Sequence, residues 1–131
     1  MVKTRTQLGS LEIAALERLW RDGSHSAKTL HQIFLADRKL NINTIQSTLD
    51  RLYRKRLLTR RKQSHAFIYE CRTSRRELLG KLLTDVIEQI SGGEVEPVLS
   101  SFIDYAEGID KQILDELEQL IEQRKRSSIN K

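Results

Sequence analysis

The segment between residues 41 and 62, NINTIQSTLDRLYRKRLLTRRK, combines small polar side chains with seven basic ones. Asn, Thr, Gln and Ser form hydrogen bonds at close range, and arginine can bind a base edge or a phosphate with two parallel hydrogen bonds. The sequence shows no nucleophile beside a base, no glycine-rich phosphate loop and no carboxylate pair that would indicate an enzyme. We therefore expect this chain to recognise a polyanion and not to be an enzyme.

The charge of the chain is divided unequally between its two halves. Residues 1–76 contain 17 Lys and Arg against 6 Asp and Glu, whereas residues 77–131 contain 6 against 12. A basic region attracts polyanions such as nucleic acids, and an acidic region repels them. The front half is therefore predicted to bind the polyanion, and the rear half is expected to serve another purpose.

The front half is predicted to contain three amphipathic helices. The first, LEIAALERLW, follows Ser10 as its N-cap and stops at Gly23. The second, AKTLHQIFLADRK, is capped by Ser26, and the third begins after a cap at Asn41. Apolar residues recur at steps of three and four along the third helix, which directs them inward. These inward residues are Ile42, Ile45, Leu49 and Leu52.

Two short segments after the third helix predict a β-hairpin. LLTRRK and AFIYEC are rich in β-branched or aromatic residues, and the polar QSH separates them. Ser24 and His25 could supply a further strand. Three helices and a hairpin make a winged helix-turn-helix, which we assign to residues 1–73. The fold class is therefore mainly α: a winged helix-turn-helix domain with a two- or three-stranded sheet, followed by an all-helical domain at residues 74–131.

The outward face of the third helix suits the major groove of B-form DNA, which is about 12 Å wide and admits one α-helix. The residues predicted to contact base edges are Asn43, Thr44, Gln46, Ser47 and Arg51. Polar and basic residues around this helix are predicted to contact the DNA backbone. They are Ser26, Arg54, Lys55, Arg60, Arg61, Lys62 and His65. The alternative is that the basic run is an ordinary solvated face.

The rear half is predicted to form three helices with apolar residues on more than one face. Gly92 and Gly93 end the first of these helices, Pro97 begins the second, and Gly108 separates the last, which starts at about Asp110. Such wide apolar faces would be exposed on a monomer, so we expect a homodimer, with a heterodimer as the alternative. A twofold dimer would place two reading helices about 34 Å apart, one DNA turn, or a small multiple of it. The predicted dimerisation residues are Leu78, Leu82, Val86, Ile90, Leu99, Phe102, Ile113, Leu117 and Leu120.

The remaining side chains that could bind a metal or react are assigned structural roles. The single cysteine, Cys71, excludes an internal disulfide and a cysteine-based zinc site. We interpret it as a small buried hydrophobe, with a redox-sensing thiol beside Arg72 as the alternative. His25 and His31 are interpreted as cap or surface residues and Tyr69 as a core residue. We expect no metal and no cofactor. No apolar run approaches the roughly 20 residues of a membrane span, so we expect a cytoplasmic protein.

The order of these pieces resembles the penicillinase-repressor family, also called the BlaI/MecI/CopY family of bacterial winged-helix repressors. Over about residues 8–124, the segments that carry the resemblance are LEIAALERLW, NTIQSTLDRLYRKRLLTR, the hairpin ending in Tyr69, SRRELL and SGGEVEPVLSSFIDY. The resemblance implies a homodimeric cytoplasmic repressor that binds a palindromic operator with TACA/TGTA-like half-sites. It also implies base contacts at Asn43, Thr44 and Ser47, with Arg51 and the hairpin against the backbone.

In family members that control β-lactamase genes, a membrane-bound sensor system leads to cleavage before a phenylalanine, which would here separate Ser101 from Phe102. The sequence differs from the resembling family at three positions. Ser101 stands where the family often has asparagine, and Arg56 where it commonly has glycine. His65 stands near a position where the family commonly has arginine. The C-terminal pair of CxC motifs of the copper-responsive branch is absent from the sequence. Metal induction is therefore not expected, and induction by cleavage is left open.

A winged helix can also bind another protein. A protein-interaction adaptor without specific DNA binding is therefore the alternative function, and it would show no salt-dependent affinity for DNA.

Overall fold

The computed structural model describes residues 8–37 and 39–129 of the chain. These residues form six helices and a three-stranded sheet, so the predicted mainly α fold, a winged helix followed by helices, is confirmed. The elements are α1 (Ser10–Asp22), β1 (Ser24–Ser26), α2 (Ala27–Phe34), α3 (Ile42–Arg54), β2 (Leu58–Gln63), β3 (Ala66–Cys71), α4 (Arg75–Ile90), α5 (Glu96–Ile109) and α6 (Gln112–Ile129). By contact density the chain divides into two compact units, of which the first ends at Asp85 and the second begins at Val86.

Side-chain caps begin α2 and α3, as predicted. The Ser26 hydroxyl accepts a hydrogen bond from the backbone N–H of Thr29 at 3.2 Å. The Asn41 side chain accepts one from the backbone N–H of Asn43 at 2.9 Å. Each cap satisfies a backbone donor that the first helical turn would leave without a partner. The caps thereby fix where the helix-turn-helix pair begins.

Two predicted helix limits in the first unit are wrong. The N-cap of α1 is Gly9, not Ser10, which is already helical; the backbone N–H of Gly9 donates to the Glu12 carboxylate at 3.2 Å. The second helix ends at Phe34 and does not continue to Lys39. The backbone N–H of Asp37 reaches back only three residues, to the Phe34 carbonyl, which makes a tight turn instead of a further α-helical turn.

The three strands form an antiparallel sheet in the order β1-β3-β2. Leu58 pairs with Cys71 at one end of the hairpin, and Gln63 pairs with Ala66 at the other. Ser64 and His65 form the turn between them, with Ser64 at a positive φ of 57°. Because side chains alternate between the two faces of a strand, Leu58, Arg60 and Lys62 share one face of β2 and Arg61 lies on the other.

The core of the first unit is built where the helices and the sheet meet. Tyr69 is buried there, as predicted. The third helix contributes Ile45, Leu49 and Leu52 from its predicted inner face, whereas Ile42 is only half-buried at the open end of the helix. Truncating one such leucine to alanine typically costs about 2–5 kcal/mol, so this stripe holds α3 firmly in place. The most completely buried side chains are Leu16, Leu19, Leu30, Ile45, Thr48, Leu49, Leu52 and Leu58.

The start of α4 belongs to the first unit. The Trp20 indole N–H donates to the Thr73 carbonyl at 2.8 Å, and the Arg75 guanidinium lies 4.8 Å from the centroid of the Trp20 ring. Leu78, on the first turns of α4, packs in the same core and is 5% exposed. Leu78 therefore has a place in the winged-helix core, although the sequence assigned it to the dimer surface.

The second unit consists of the end of α4 with α5 and α6. Gly92 and Gly93 adopt positive φ angles of 63° and 86° directly after α4, and Pro97 lies in the first turn of α5. Gly108 was expected to separate the last two helices, but α5 runs through it to Ile109. The break comes instead at Asp110, whose carboxylate accepts a hydrogen bond from the backbone N–H two residues on. None of the helices described is long and apolar enough to cross a membrane.

Candidate nucleic-acid interface

The five predicted base-reading residues lie together on the exposed side of α3. They are Asn43, Thr44, Gln46, Ser47 and Arg51, and all are exposed. Thr48, one position farther round the helix, is buried and donates its hydroxyl to the Thr44 carbonyl at 2.8 Å. It also accepts a hydrogen bond from the Arg51 guanidinium at 3.3 Å. The exposed side of α3 is thus a polar surface, and the hydrogen bond to Thr48 holds the Arg51 side chain against the helix.

Asp50 is the one acidic residue within this polar surface. Its carboxylate lies 3.0 Å from Arg54 Nε and 3.6 Å from Arg60 Nη1. A lone carboxylate on this face would repel a polyanion, but the two guanidinium groups neutralise it locally. Asp50 therefore links the end of α3 to strand β2.

Arg60 occupies the junction between α3 and the hairpin. Its guanidinium carbon lies 3.9 Å from the centroid of the Tyr53 ring and 4.1 Å from that of Phe67. Tyr53 belongs to α3 and Phe67 to β3, so one cation contacts a ring from each element. Arg54, Arg60 and Arg61 were all predicted to contact the DNA backbone, and each forms an ion pair. Arg60 is the most buried of the three, with 26% of its side chain exposed.

The other basic residues of the hairpin are not gathered on one face. Lys62 lies on the same face of β2 as Arg60, is exposed and makes no ion pair with any residue that the structure describes. Arg61 lies on the opposite face, where its guanidinium contacts Glu70 at 2.6 Å. His65 is exposed in the turn. The basic residues of β2 therefore lie on two faces of the hairpin. Arg60 and Lys62 lie on the face next to α3, and Arg61 lies on the other.

Lys55 is engaged inside the first unit. Its ammonium lies 2.8 Å from the carboxylate of Glu12, a side chain only 10% exposed. Burial raises the pKa of Glu12, but hydrogen bonds from Lys55 and from the Gly9 backbone, with the charges of Lys55 and Arg51, outweigh it and hold the pKa below the usual 4.5. This ion pair joins α1 to the C-terminal end of α3. Lys55 was predicted to contact DNA, and its charge is already balanced within the protein.

A cleft of about 530 Å³ opens between the start of α2, the exposed side of α3 and the hairpin. Ser26 and Lys28 line it from α2, Gln46 from α3, and His65 and Phe67 from the hairpin side. The hydroxyl of Ser26 lies at the N-terminal end of α2, where the helix dipole favours an anion. Several residues predicted to contact DNA from separate segments are thus gathered around one opening.

A second cleft, of about 470 Å³, lies at the C-terminal end of α3 and is strongly basic. Arg54, Arg56, Arg60 and Arg72 line it. The sequence interpretation counted Arg56 among the basic residues that would neutralise phosphates but left out Arg72, because only the folded chain brings Arg72, which follows β3, beside α3. Arg56 adopts a positive φ of 65°, a conformation that glycine adopts without strain, at a position where the resembling family commonly has glycine.

Cys71 is half-buried on the core side of the sheet. Its Sγ lies 3.8 Å from the Leu16 carbonyl, and burial raises the pKa of the thiol to about 11. A thiol with a raised pKa is poorly reactive because the thiolate is the nucleophile. The interpretation of Cys71 as a small buried residue therefore fits its surroundings better than the redox-sensing alternative.

The predicted dimerisation residues of the second unit are mostly exposed. Val86, Ile90, Leu99, Phe102 and Leu120 each have between 45% and 77% of their surface exposed. Ile113 and Leu117 are half-buried. Leu82, also predicted at the dimer surface, belongs to the first unit, where it is half-buried against the core. The predicted cleavage point, between Ser101 and Phe102, lies in the interior of α5 and is exposed to solvent.

The side chains that bind metal ions are not clustered in the described part of the chain. No three His, Cys, Asp or Glu side chains among residues 8–37 and 39–129 are placed to hold a metal ion. His25 contacts Asp22 at 2.7 Å and Thr29 at 3.0 Å, and His31 contacts the Leu40 carbonyl at 2.6 Å. These histidines join neighbouring helix ends.

Comparisons with known proteins find a family model and two curated relatives that are similar to this chain. A family model described as "Penicillinase repressor" matches residues 8–123. Two curated relatives, both named "Transcriptional regulator BlaI", come from Mycobacterium tuberculosis strains CDC 1551 / Oshkosh and ATCC 25618 / H37Rv. Each is 30% identical to this chain over 101 residues, which cover 76% of this chain and 73% of the relative.

Proposed function

Since the chain belongs to the penicillinase repressor family of transcriptional regulators, which are not enzymes, we propose that it represses transcription by binding a palindromic DNA operator as a homodimer. The observation that carries the proposal is the surface of α3. Its outward side exposes the polar residues from Asn43 to Arg51, while its inward side is fixed in the core. Such a helix can enter a major groove without losing its own packing.

Base recognition is assigned to the first two turns of α3. Asn43, Thr44, Gln46 and Ser47 have short side chains, so the helix backbone can approach the base edges closely. Arg51 follows one turn later, where its guanidinium can reach a guanine edge or a phosphate. Each lost base contact typically costs about 1–3 kcal/mol of discrimination between sequences.

Phosphate binding is assigned to polar and basic residues of the hairpin and of the two clefts other than Arg60. Ser26 and His65 line the first cleft, and Arg54 and Arg72 line the second. Lys62 is exposed on the α3 side of the hairpin. Phosphate contacts supply affinity in the same measure for every sequence, and each one makes binding more sensitive to salt. Lys55 and Arg61 are weaker candidates, because Glu12 and Glu70 already balance their charges.

Homodimer formation is assigned to the apolar surface of the second unit. Leu99 in α5 and Leu120 in α6 are both 57% exposed, and Ile90 at the end of α4 is 77% exposed. A monomer rarely keeps so many large apolar side chains in water, whereas a second copy of the chain would cover them. The operator should then be palindromic, because a twofold dimer presents two copies of α3 related by the same axis.

The cellular setting follows from the same proposal. A repressor that binds chromosomal DNA acts in the cytoplasm and needs no cofactor for this binding mode. Relief of repression by a sensor or protease system that cuts between Ser101 and Phe102 would require local opening of α5, because a protease binds its substrate in an extended conformation. Leu99 and Phe102 lie on the same helix, so such opening would also disturb the dimer surface.

A titration by fluorescence anisotropy tests DNA binding against the adaptor alternative. One labelled duplex carries inverted TACA/TGTA half-sites, and a second has the same composition in scrambled order. If the protein makes six to ten phosphate contacts, its affinity should fall by about a thousandfold or more between 50 and 200 mM salt. The palindromic duplex should bind more tightly than the scrambled one at both salt concentrations.

The outcomes separate the parts of the proposal. No salt-dependent affinity for either duplex would favour the protein-interaction adaptor. Equal, salt-dependent affinity for both duplexes would keep DNA binding and contradict the half-site assignment.

A further inference from the structure

Arg60 has surroundings that differ from those of every other predicted phosphate-binding residue. It contacts a ring of α3, a ring of β3 and the carboxylate of Asp50, with Cζ-to-centroid distances of 3.9 and 4.1 Å and an N–O distance of 3.6 Å. A phosphate-binding arginine needs its donors turned toward solvent, whereas the guanidinium of Arg60 is engaged with two rings and, through one nitrogen, with a carboxylate.

We propose that Arg60 is a positioning residue that fixes the hairpin against the recognition helix, and that it acts on DNA through this geometry and not through a phosphate contact. For its effect on DNA binding, the inference rests on the function proposed above. The effect on the hairpin itself does not require DNA.

The position of Arg60 along β2 explains why one residue can do this. On the α3-facing side of the hairpin, Leu58 is buried in the core and Lys62 is exposed near the turn, with Arg60 between them. Beyond the buried end, the ion pair and ring contacts between the hairpin and α3 among the described residues are those of Arg60, while the buried Tyr69 opposite it packs in the core. Tyr53 is 37% and Phe67 40% exposed, so neither ring is fixed by deep burial, and the guanidinium joins them.

The geometry also makes arginine specifically suitable. A guanidinium is planar and can stack on aromatic faces while an edge nitrogen contacts a carboxylate. A lysine ammonium is a compact charge on a flexible stem and cannot make the same set of contacts. Arg60→Lys should therefore preserve the charge but lose the positioning, which separates the two possible roles of this residue.

Hydrogen exchange of the DNA-free full chain provides the first test. Amides of the hairpin tip, residues 62–66, should exchange at least severalfold faster in Arg60→Lys and in Arg60→Met than in the unmodified protein. Lys62→Met is the matched control, because Lys62 is a cation on the same face of β2 that makes no ion pair with the described residues of α3, and its hairpin should exchange at the original rate. Tyr53→Leu removes the α3 ring while keeping all charges and should reproduce the faster exchange.

Salt-dependent DNA titration provides the second test. Arg60→Lys and Arg60→Met should both weaken binding to the palindromic duplex, by about five- to thirtyfold, with little change in the slope of log affinity against log salt. Lys62→Met should instead lower the slope by about 0.9, the value for one lost phosphate contact. A residue that only stabilised the fold would change the melting temperature without changing the affinity of the folded protein.

Two results would overturn the inference. One is an unchanged exchange rate at residues 62–66 in both Arg60 variants. The other is a lysine variant that binds DNA like the unmodified protein, together with a methionine variant whose salt slope falls by about one, since that combination identifies a phosphate contact. If the unmodified protein shows no salt-dependent DNA binding, the proposed function fails, and the exchange experiment still decides the role of Arg60.

Discussion

Replacing Glu12 by glutamine tests how α3 is held against α1. The Glu12 carboxylate accepts hydrogen bonds from Lys55 Nζ at 2.8 Å and from the Gly9 backbone N–H at 3.2 Å. Glutamine keeps the shape of the side chain but loses its charge, which removes the carboxylate that the Lys55 ammonium contacts at 2.8 Å. A hydrogen bond to a charged group contributes about 1.5–3 kcal/mol. Because 32% of the Lys55 side chain is exposed, solvent compensates in part for the lost contact. We therefore expect the free energy of unfolding to fall by about 1–2 kcal/mol, at or below the lower end of that range.

Urea unfolding at pH 7, followed by circular dichroism, measures this loss. Glu17→Gln is the matched control, because Glu17 lies in the same helix and its ion pair with Arg75 is 3.8 Å long with both side chains more than half exposed. An exposed pair of this kind should contribute less than about 0.5 kcal/mol. A double-mutant cycle with Lys55→Met isolates the energy shared by Glu12 and Lys55.

The pH dependence provides an independent check with a defined sign. The pKa of Glu12 is lowered in the folded protein, so the unfolded state binds more protons as the pH falls. The stability that Glu12 contributes is therefore present above its unfolded pKa, near 4.5, and is lost as the pH falls through the lower folded pKa. The unmodified protein and Glu12→Gln should converge in stability under acidic conditions. A loss no greater than that of Glu17→Gln, or a difference that persists at pH 2, would refute this reasoning.

Further predictions concern base reading, phosphate binding, the thiol and the dimer surface. Ser47→Ala should weaken binding to the palindromic duplex by about 1–3 kcal/mol relative to the scrambled one, and an equal loss on both would count against base reading. Arg72→Ala should weaken both duplexes alike and reduce the salt slope by about 0.9; an unchanged slope would exclude a phosphate contact. Because burial raises the pKa of Cys71 from 9.0 to about 11, Ellman's reagent should react with it about a hundredfold more slowly than with a free thiol at pH 8, and a free-thiol rate would contradict its burial. Leu99→Lys should give monomers by light scattering, whereas intact dimers would remove Leu99 from the interface.

The local features of the fold were predictable from the sequence. The spacing of Ile45, Leu49 and Leu52 indicated which side of α3 faces the core, because helical periodicity alone decides it. The caps at Ser26 and Asn41 were predictable for the same reason, since a cap depends on residues only two or three positions away.

The parts that the sequence could not supply depend on contacts between distant segments. The pairing of Glu12 with Lys55 joins residues 43 positions apart, and no local pattern indicates it. Leu78 looked like a dimer residue because its helix is apolar on more than one face, and only the packing of α4 on the first unit assigns it to the core. The different roles of Arg60 and Arg61 follow from strand alternation combined with the ring partners of Arg60. The base contacts of α3 and the limit between two domains at residue 73 stay predictions.

The claim on which this account depends is that two copies of the chain present α3 to the two halves of one palindrome. A hydroxyl-radical footprint on the duplex with inverted half-sites tests it most directly. We predict protected stretches on both strands that are related by a twofold axis, with centres about one helical turn apart, roughly 34 Å, or a small multiple of it. A single protected stretch without twofold symmetry would contradict the claim.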